Sequence, residues 1–225
     1  MDLPKVVNGM NIWPMRHHTH TEAGGDEENE DFLLMRPHPQ DNSVWIACIA
    51  DGQGGRFNGA VAAQTACTSY YEQAARLSSR DLFHEKTQQD LFHQVDQAVA
   101  LTEGFTTFIA VVFDHSSLIG GSSGDSKVYA TTRLGSMEEL TIQQRKNPPV
   151  GSAEAVFEIF TRPLFPKLRL LMVTDGVWKY AGHENVKNAL EADAFSEVAS
   201  VLRAATLTRC GTTLPDDFSL IGIEL

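Results

Sequence analysis

Cysteine is scarce in this chain. Cys48, Cys67 and Cys210 are the only three in 225 residues, and they lie far apart. That excludes a disulfide framework and points to a reducing, cytoplasmic setting. Long apolar runs are also missing: no stretch approaches the ~20 residues that a membrane helix needs. The opening Met1-Asp2-Leu3-Pro4-Lys5 is not followed by the apolar segment of a secretory signal. Basic residues are few, with 18 Lys and Arg against 29 Asp and Glu and a formal net charge of -11. A nucleic-acid binder normally carries a basic face, so that class is disfavoured. No internal repeat and no long low-complexity tract interrupts the sequence.

What is present suits one soluble domain over 1–225, with 42% hydrophobic residues to supply a core. Residues 1–28 read as an N-terminal strand near Met10 to His18 followed by an acidic loop. Phe32 to Met35 reads as a short strand. Val44 to Ala50 is almost wholly apolar, as a strand buried on both faces would be. Two helical patterns follow. Gly59 to about Arg76 is rich in small residues, and Leu91, Phe92, Val95, Ala98 and Val99 share one helical face. Strands are then predicted over Phe105–Phe113, Leu118–Gly121 and Val128–Thr132, with a short one ending near Leu140. A Pro148-Pro149 loop spans Arg145–Ser152. Further strands are predicted over Val156–Thr161, Leu168–Thr174 and Phe218–Leu225. Phe195, Val198, Ala199 and Leu202 mark a late amphipathic helix, with Asp193 its candidate N-cap. Strands that do not alternate with helices point to α+β, two antiparallel sheets packed face to face with helices outside, and not to a parallel Rossmann arrangement. A monomer is expected, since no large apolar stripe is left over.

Carboxylates stand at the mouths of several apolar strands. Asp51-Gly52 closes one run, Asp175-Gly176 closes another, Asp216-Asp217 opens the last strand and Glu30-Asp31 precedes an early one. Any one such pair is explained by turn formation. Together, Glu30, Asp51, Asp175 and Asp216 would place about four negative charges in one partly dry site. Two divalent cations would cancel them, and hard oxygen donors suit Mg²⁺ or Mn²⁺ over zinc.

Asn29-Glu30-Asp31, Asp51-Gly52-Gln53-Gly54-Gly55, Thr106-Thr107, Gly124-Asp125-Ser126-Lys127, Thr174-Asp175-Gly176-Val177-Trp178 and Asp216-Asp217-Phe218-Ser219 follow one another in the order of a known set. The set resembles the motifs of the metal-dependent protein serine/threonine phosphatases (type 2C), in a short single-domain bacterial form. The resemblance implies a four-layer αββα sandwich. It implies that Asp51 bridges two Mn²⁺ or Mg²⁺ ions, with Glu30 and the Gly52 carbonyl completing one site and Asp175 and Asp216 the other. Asp31 would orient the water that attacks the phosphorus of phosphoserine or phosphothreonine directly. Phosphorylated proteins and a cognate kinase pathway are the implied partners.

The chain departs from the family at several positions. Where many members carry a phosphate-gripping Arg, four residues before the Glu, this chain has Asp26. Arg16, with His18 or His20, is the candidate replacement. His17, His18 and His20 otherwise read as an exposed strand face. Gln53 stands where some relatives carry a His that protonates the leaving group. Asp125 resembles a ligand of a third metal, but Lys179 occupies the position of another family Asp, so the third site is expected to be weak or absent. The flap after Leu140-Thr141 is short, which leaves the site open.

Three other motif matches fail on local chemistry. Gly120-Gly121-Ser122-Ser123-Gly124 matches a nucleophile-elbow string, with Asp175 and His183 downstream, but that motif must lead into a helix and a strand is predicted here. A cysteine-based phosphatase needs an Arg six residues after its Cys, where this chain has Gly54, Gln73 and Asp216. Gly52, Gly54, Gly55 and Gly59 fit neither the dinucleotide fingerprint nor the P-loop. The remaining alternative is a catalytically weak or inactive module of the same fold that binds phosphoproteins.

Overall fold

The computed structural model describes residues 5–7, 10–12, 15–25, 28–53, 58–192 and 194–225. Strands β1 (Lys5–Val7) and β2 (Met10–Ile12) pair with each other in a two-stranded sheet. β3 (Arg16–Glu22), β4 (Asp31–His38) and β5 (Asp41–Asp51) come next, followed by helices α1 (Gly59–Ala74) and α2 (Glu85–Ala100). β6 (Phe108–Phe113), β7 (Ser117–Ser123), β8 (Lys127–Thr131), β9 (Met137–Glu139), β10 (Glu158–Pro163) and β11 (Arg169–Val173) then run in succession. Helices α3 (Asp175–Ala181), α4 (His183–Glu191) and α5 (Val198–Cys210) precede the last strand, β12 (Phe218–Glu224).

Two five-stranded antiparallel sheets result, with orders β10-β7-β6-β5-β4 and β3-β12-β11-β8-β9. The period-2 alternation of each strand assigns its side chains to one of three cores. On β5, Ile46, Cys48 and Ala50 turn toward α1 and α2, while Ala47 and Ile49 turn into the space between the sheets. On β11, Leu170 and Met172 point between the sheets, and Leu171 and Val173 toward the helices α3 to α5. Three cores separate four layers, so the expected αββα sandwich is the fold observed.

α1 lies close on its sheet because Ala62, Ala63, Ala66 and Ala74 put little bulk between backbone and strand. α2 buries Leu91, Phe92, Val95 and Val99, the face that its periodicity marks out. Three expectations are corrected. The early strand of the main sheets is Arg16–Glu22 and not Met10–His18, because its partner is β12, in the register Glu22 to Phe218 through Arg16 to Glu224. Asp175 begins a helix, and α3 and α4 were not anticipated: at seven and nine residues they are too short to show a clear period. The strand expected from Phe105 starts at Phe108. Asp193, the proposed cap, lies outside the described residues.

Antiparallel pairing sets up the site. The starts of β4, β8 and β12 and the ends of β5 and β11 fall at one edge of the sandwich, with Asp31 opposite Asp51 and Val173 opposite both Lys127 and Leu220.

Candidate metal centre

A cleft of about 970 Å³ opens at that edge. Its walls include Glu30, Asp51, Gly52, Gln53, Asp125, Asp175 and Asp216. Residues distant in sequence thus meet because each ends or begins a strand. Asp51, Asp125 and Asp175 each offer a carboxylate oxygen, and these three atoms lie within 4.8 Å of one another.

Glu30 and Gly52 are joined through the backbone, Gly52 N–H donating to the Glu30 carbonyl at 3.1 Å. Close approach leaves no room for side chains here. A Cβ on Gly52 would lie 2.4 Å from the Gly59 carbonyl oxygen, and one on Gly59 would lie 2.5 Å from Glu30 Oε1. Asp51 is fixed by its neighbour strand: its N–H donates to Thr107 Oγ1, and its carbonyl accepts from Thr107 N–H and the Thr106 hydroxyl. Asp175 opens α3, a favourable place for a carboxylate in the helix field.

Asp31 lies just behind this wall, buried at the joint between the sheets. The Thr174 hydroxyl donates to its Oδ2 at 2.9 Å. Burial, together with the charges of Asp217 and Asp175, outweighs the hydroxyl bonds and raises its carboxyl to about 7. Asp51 is pushed well above the usual carboxylate range by burial, then by Asp31, Asp175, Asp125 and Asp216. Asp216 is raised as well, by burial and Asp175. Like charges gathered in a half-dry cleft, all on oxygen donors, are what a hard divalent cation relieves, and the residues present fit Mg²⁺ or Mn²⁺.

Several contributors were not foreseen. Asp217 clamps the entrance, accepting from Gly24 N–H at 2.8 Å and from Glu30 N–H at 2.6 Å. Thr174 holds the carboxylate of Asp31, and Thr107 holds the backbone of Asp51. Lys146 lines the cleft and bonds Asp125. Its signal in the sequence was only its place in the Pro-Pro loop.

Other candidates stand elsewhere. Arg16, the candidate phosphate ligand, sits across from Glu224, at the end of β3 opposite Glu22 and roughly 20 Å of strand from it. His18 and His20 share one face of β3, and the His20 ring meets Phe218 edge-on. Lys179 lies 3.5 Å from Asp175, one helical turn on. Asp26 is outside the described residues. Gly120–Gly124 runs along β7 into the turn before β8, a strand of the other sheet, so no helix follows and the nucleophile elbow has no place there.

Over residues 41–225 the chain matches the family model described as stage II sporulation protein E (SpoIIE). Among curated proteins, no sequence matches significantly. Similar solved structures include the Mycobacterium tuberculosis serine/threonine phosphatase PstP/Ppp, with TM-score 0.77 and 20% identity over 94% of this chain and 98% of that one. PppA, a key regulatory component of T6SS in Pseudomonas aeruginosa, aligns with TM-score 0.73 and 18% identity over 94% and 98%. RsbX in complex with magnesium aligns with TM-score 0.73 and 13% identity over 94% and 95%. At such identities the structural likeness speaks for the fold, while the family match spans most of the sequence. The chain belongs to the SpoIIE family, among the type 2C-like metal-dependent protein phosphatases.

Proposed function

We propose that this protein hydrolyses phosphoserine and phosphothreonine in other proteins, with two Mg²⁺ or Mn²⁺ ions held by its carboxylates. The reading is carried by one observation: Asp51, Asp125 and Asp175 converge to within 4.8 Å in a cleft also lined by Glu30 and Asp216. By its motif alone, Asp125 resembles a ligand of a third, weaker site. Its place beside Asp51 and Asp175 makes it a candidate for the main cluster. When bound, the cations supply Lewis-acid activation of water and neutralise charge on the phosphoryl group.

The protein's own groups do the positioning. Asp51, Asp175, Glu30, Asp216 and the Gly52 carbonyl bind the cations. Asp31 accepts the Thr174 hydroxyl and orients water from behind Asp51. Gln53 has no acid proton to give, so the leaving alkoxide takes its proton from water. Phosphoproteins, and the kinase pathway that makes them, are the partners this reading requires.

The deciding experiment is turnover of a phosphothreonine peptide with added Mn²⁺, with and without chelator. Turnover that survives chelation sinks the metal mechanism. No turnover with retained phosphopeptide binding would instead favour the non-catalytic module.

A further inference from the structure

We propose that Lys146 positions the substrate phosphoryl group, its ammonium standing at the carboxylate cluster with Asp125 as resting counter-ion. This rests on the phosphatase reading above and adds a residue to it.

The cleft needs such a cation. Its lining carries the carboxylates of Glu28, Glu30, Asp51, Asp125, Asp175, Asp216 and Asp217, and among the described residues Lys146 is its one cationic side chain. Two divalent ions would leave that wall acidic, in a chain already at -11. A phosphate dianion entering it needs a fixed donor of positive charge. Of the other cations nearby, Lys179 pairs with Asp175 at 3.5 Å from outside the lining of the cleft, and the rest are engaged elsewhere. Lys127 pairs with Glu139 and covers the Trp178 ring, Arg145 turns to Glu158, and Arg16 is at the far end of β3.

Lys146 is also held in place, although its loop has no regular structure. Just before it, the Arg145 carbonyl accepts from Gly124 N–H at 2.8 Å, and the Gln144 side chain donates to the Ser126 carbonyl at 2.7 Å. Just after it, Thr106 N–H donates to the Val150 carbonyl at 3.1 Å. Beyond that, buried Asp96 of α2 accepts from Gly151 N–H at 2.6 Å and Ala155 N–H at 3.0 Å. Gly151 has φ +103, and a Cβ there would lie 2.4 Å from the Gly104 carbonyl oxygen. The loop is thus fixed to the sheet on one side of Lys146 and to the sheet and helix on the other, while the ammonium stays accessible, with the side chain 67% exposed. A tethered cation on a fixed loop costs little ordering when it meets an anion.

The test uses Mg²⁺-loaded full-length protein and inorganic phosphate as probe, measured by calorimetry and as competitive inhibition of peptide turnover. Lys146→Met should weaken phosphate binding about tenfold, the size expected for one charge-assisted contact. It should raise KM by more than it lowers kcat. Lys146→Arg should keep phosphate affinity within about threefold of wild type, since charge and reach are retained. Lys86→Met, an exposed lysine on α2, serves as control. Phosphate affinity unchanged in Lys146→Met overturns the proposal. So does a loss of equal size in Lys146→Arg, or an effect confined to Mg²⁺ affinity, which would make Lys146 a mere counter-ion of Asp125. A wild type that neither binds phosphate nor turns over peptide defeats the phosphatase reading itself. Wild-type turnover with unaltered phosphate binding in Lys146→Met defeats only the role of Lys146.

Discussion

Asp31 and Asp51 face each other directly across the β4–β5 ladder, a buried and a half-buried carboxylate in one cross-strand pair. Nothing cationic stands between them among the described residues, and Thr174 supplies a hydroxyl to Asp31 alone. The fold therefore stores like-charge repulsion at the joint of its two sheets, and that has a pH signature. Both groups have folded-state values above the ordinary 3.8, Asp31 at about 7. Below about pH 4 the folded and unfolded chains both carry these protons, so the pair costs nothing. As pH rises through 7 the unfolded chain has long released them, and the folded chain must hold charges it disfavours. Glu22 and Asp41 are shifted downward, so their contribution is complete above pH 5 and flat beyond it. Chelator-treated protein should therefore lose stability between pH 5 and 8, by several degrees in Tm as an order of magnitude. Adding Mn²⁺ should reverse the loss. A metal-free Tm that is flat or rising over this window would contradict the arrangement.

Asp51→Asn separates stability from binding. Removing one charge from the cluster relieves repulsion, so metal-free Asp51→Asn should be at least as stable as wild type at pH 8. It should lose the stabilisation that Mn²⁺ gives the wild type, which is roughly 2.7 kcal/mol at a hundredfold excess over Kd. Thermal denaturation with and without Mn²⁺ measures both. A variant that is unstable without metal yet still rescued by it would place the cations elsewhere.

The hydroxyl of Thr174 makes a narrower prediction. It stands at the N-cap of α3 but makes no capping bond there, and it donates across the sandwich to Asp31. Thr174→Val keeps the shape, removes that bond, and takes from the buried Ser219 N–H the oxygen it donates to at 3.2 Å. Groups that orient a metal site from behind typically contribute ten- to hundredfold to activity or affinity. Peptide turnover should fall by about that range while stability falls by about 1–3 kcal/mol. A loss of activity that follows the loss of folded protein would mean the hydroxyl is purely structural.

The sandwich was legible because burial writes itself into strands. Val44 to Ala50 must be apolar on both faces, and the motif carboxylates stand where such runs stop. α3 and α4 were not legible, because helices of two turns bury too few residues to establish a period. The place of Arg16 was not legible for a different reason. A strand's sequence shows which residues share a face but not which end lies near the site, and only pairing with β12 put Arg16 beside Glu224. Lys146 escaped notice because a loop lysine carries no pattern, and its position depends on bonds from Gly124, Thr106 and Asp96 that no local sequence encodes.

Gly176 tests how closely α3 must approach the last strand. A Cβ there would lie 1.9 Å from the Asp217 carbonyl oxygen and 3.3 Å from the Asp216 Cβ. The first contact is with backbone, which cannot swing aside. Gly176→Ala must push α3 and the Asp216-Asp217 turn apart, at about 1–3 kcal/mol, the usual scale of overpacking. Because Asp175 and Asp216 sit on the two parts being separated, Mn²⁺ affinity should fall along with the Tm. Unchanged stability would show that the turn yields freely.

Asp96→Ala removes the anchor of the loop that carries Lys146. The carboxylate is buried and accepts two backbone N–H bonds, from Gly151 and Ala155. Truncation leaves both amides without that partner, and the expected cost is about 2–4 kcal/mol. Hydrogen exchange should localise the damage, with the Gly151 and Ala155 amides losing protection well before those of β5 and β6. Asp96→Asn keeps one acceptor oxygen and should recover part of the protection. If both amides stay as protected in Asp96→Ala as in wild type, the loop is held by the Thr106–Val150 and Gly124–Arg145 bonds alone, and Asp96 has no part in fixing the wall of the cleft.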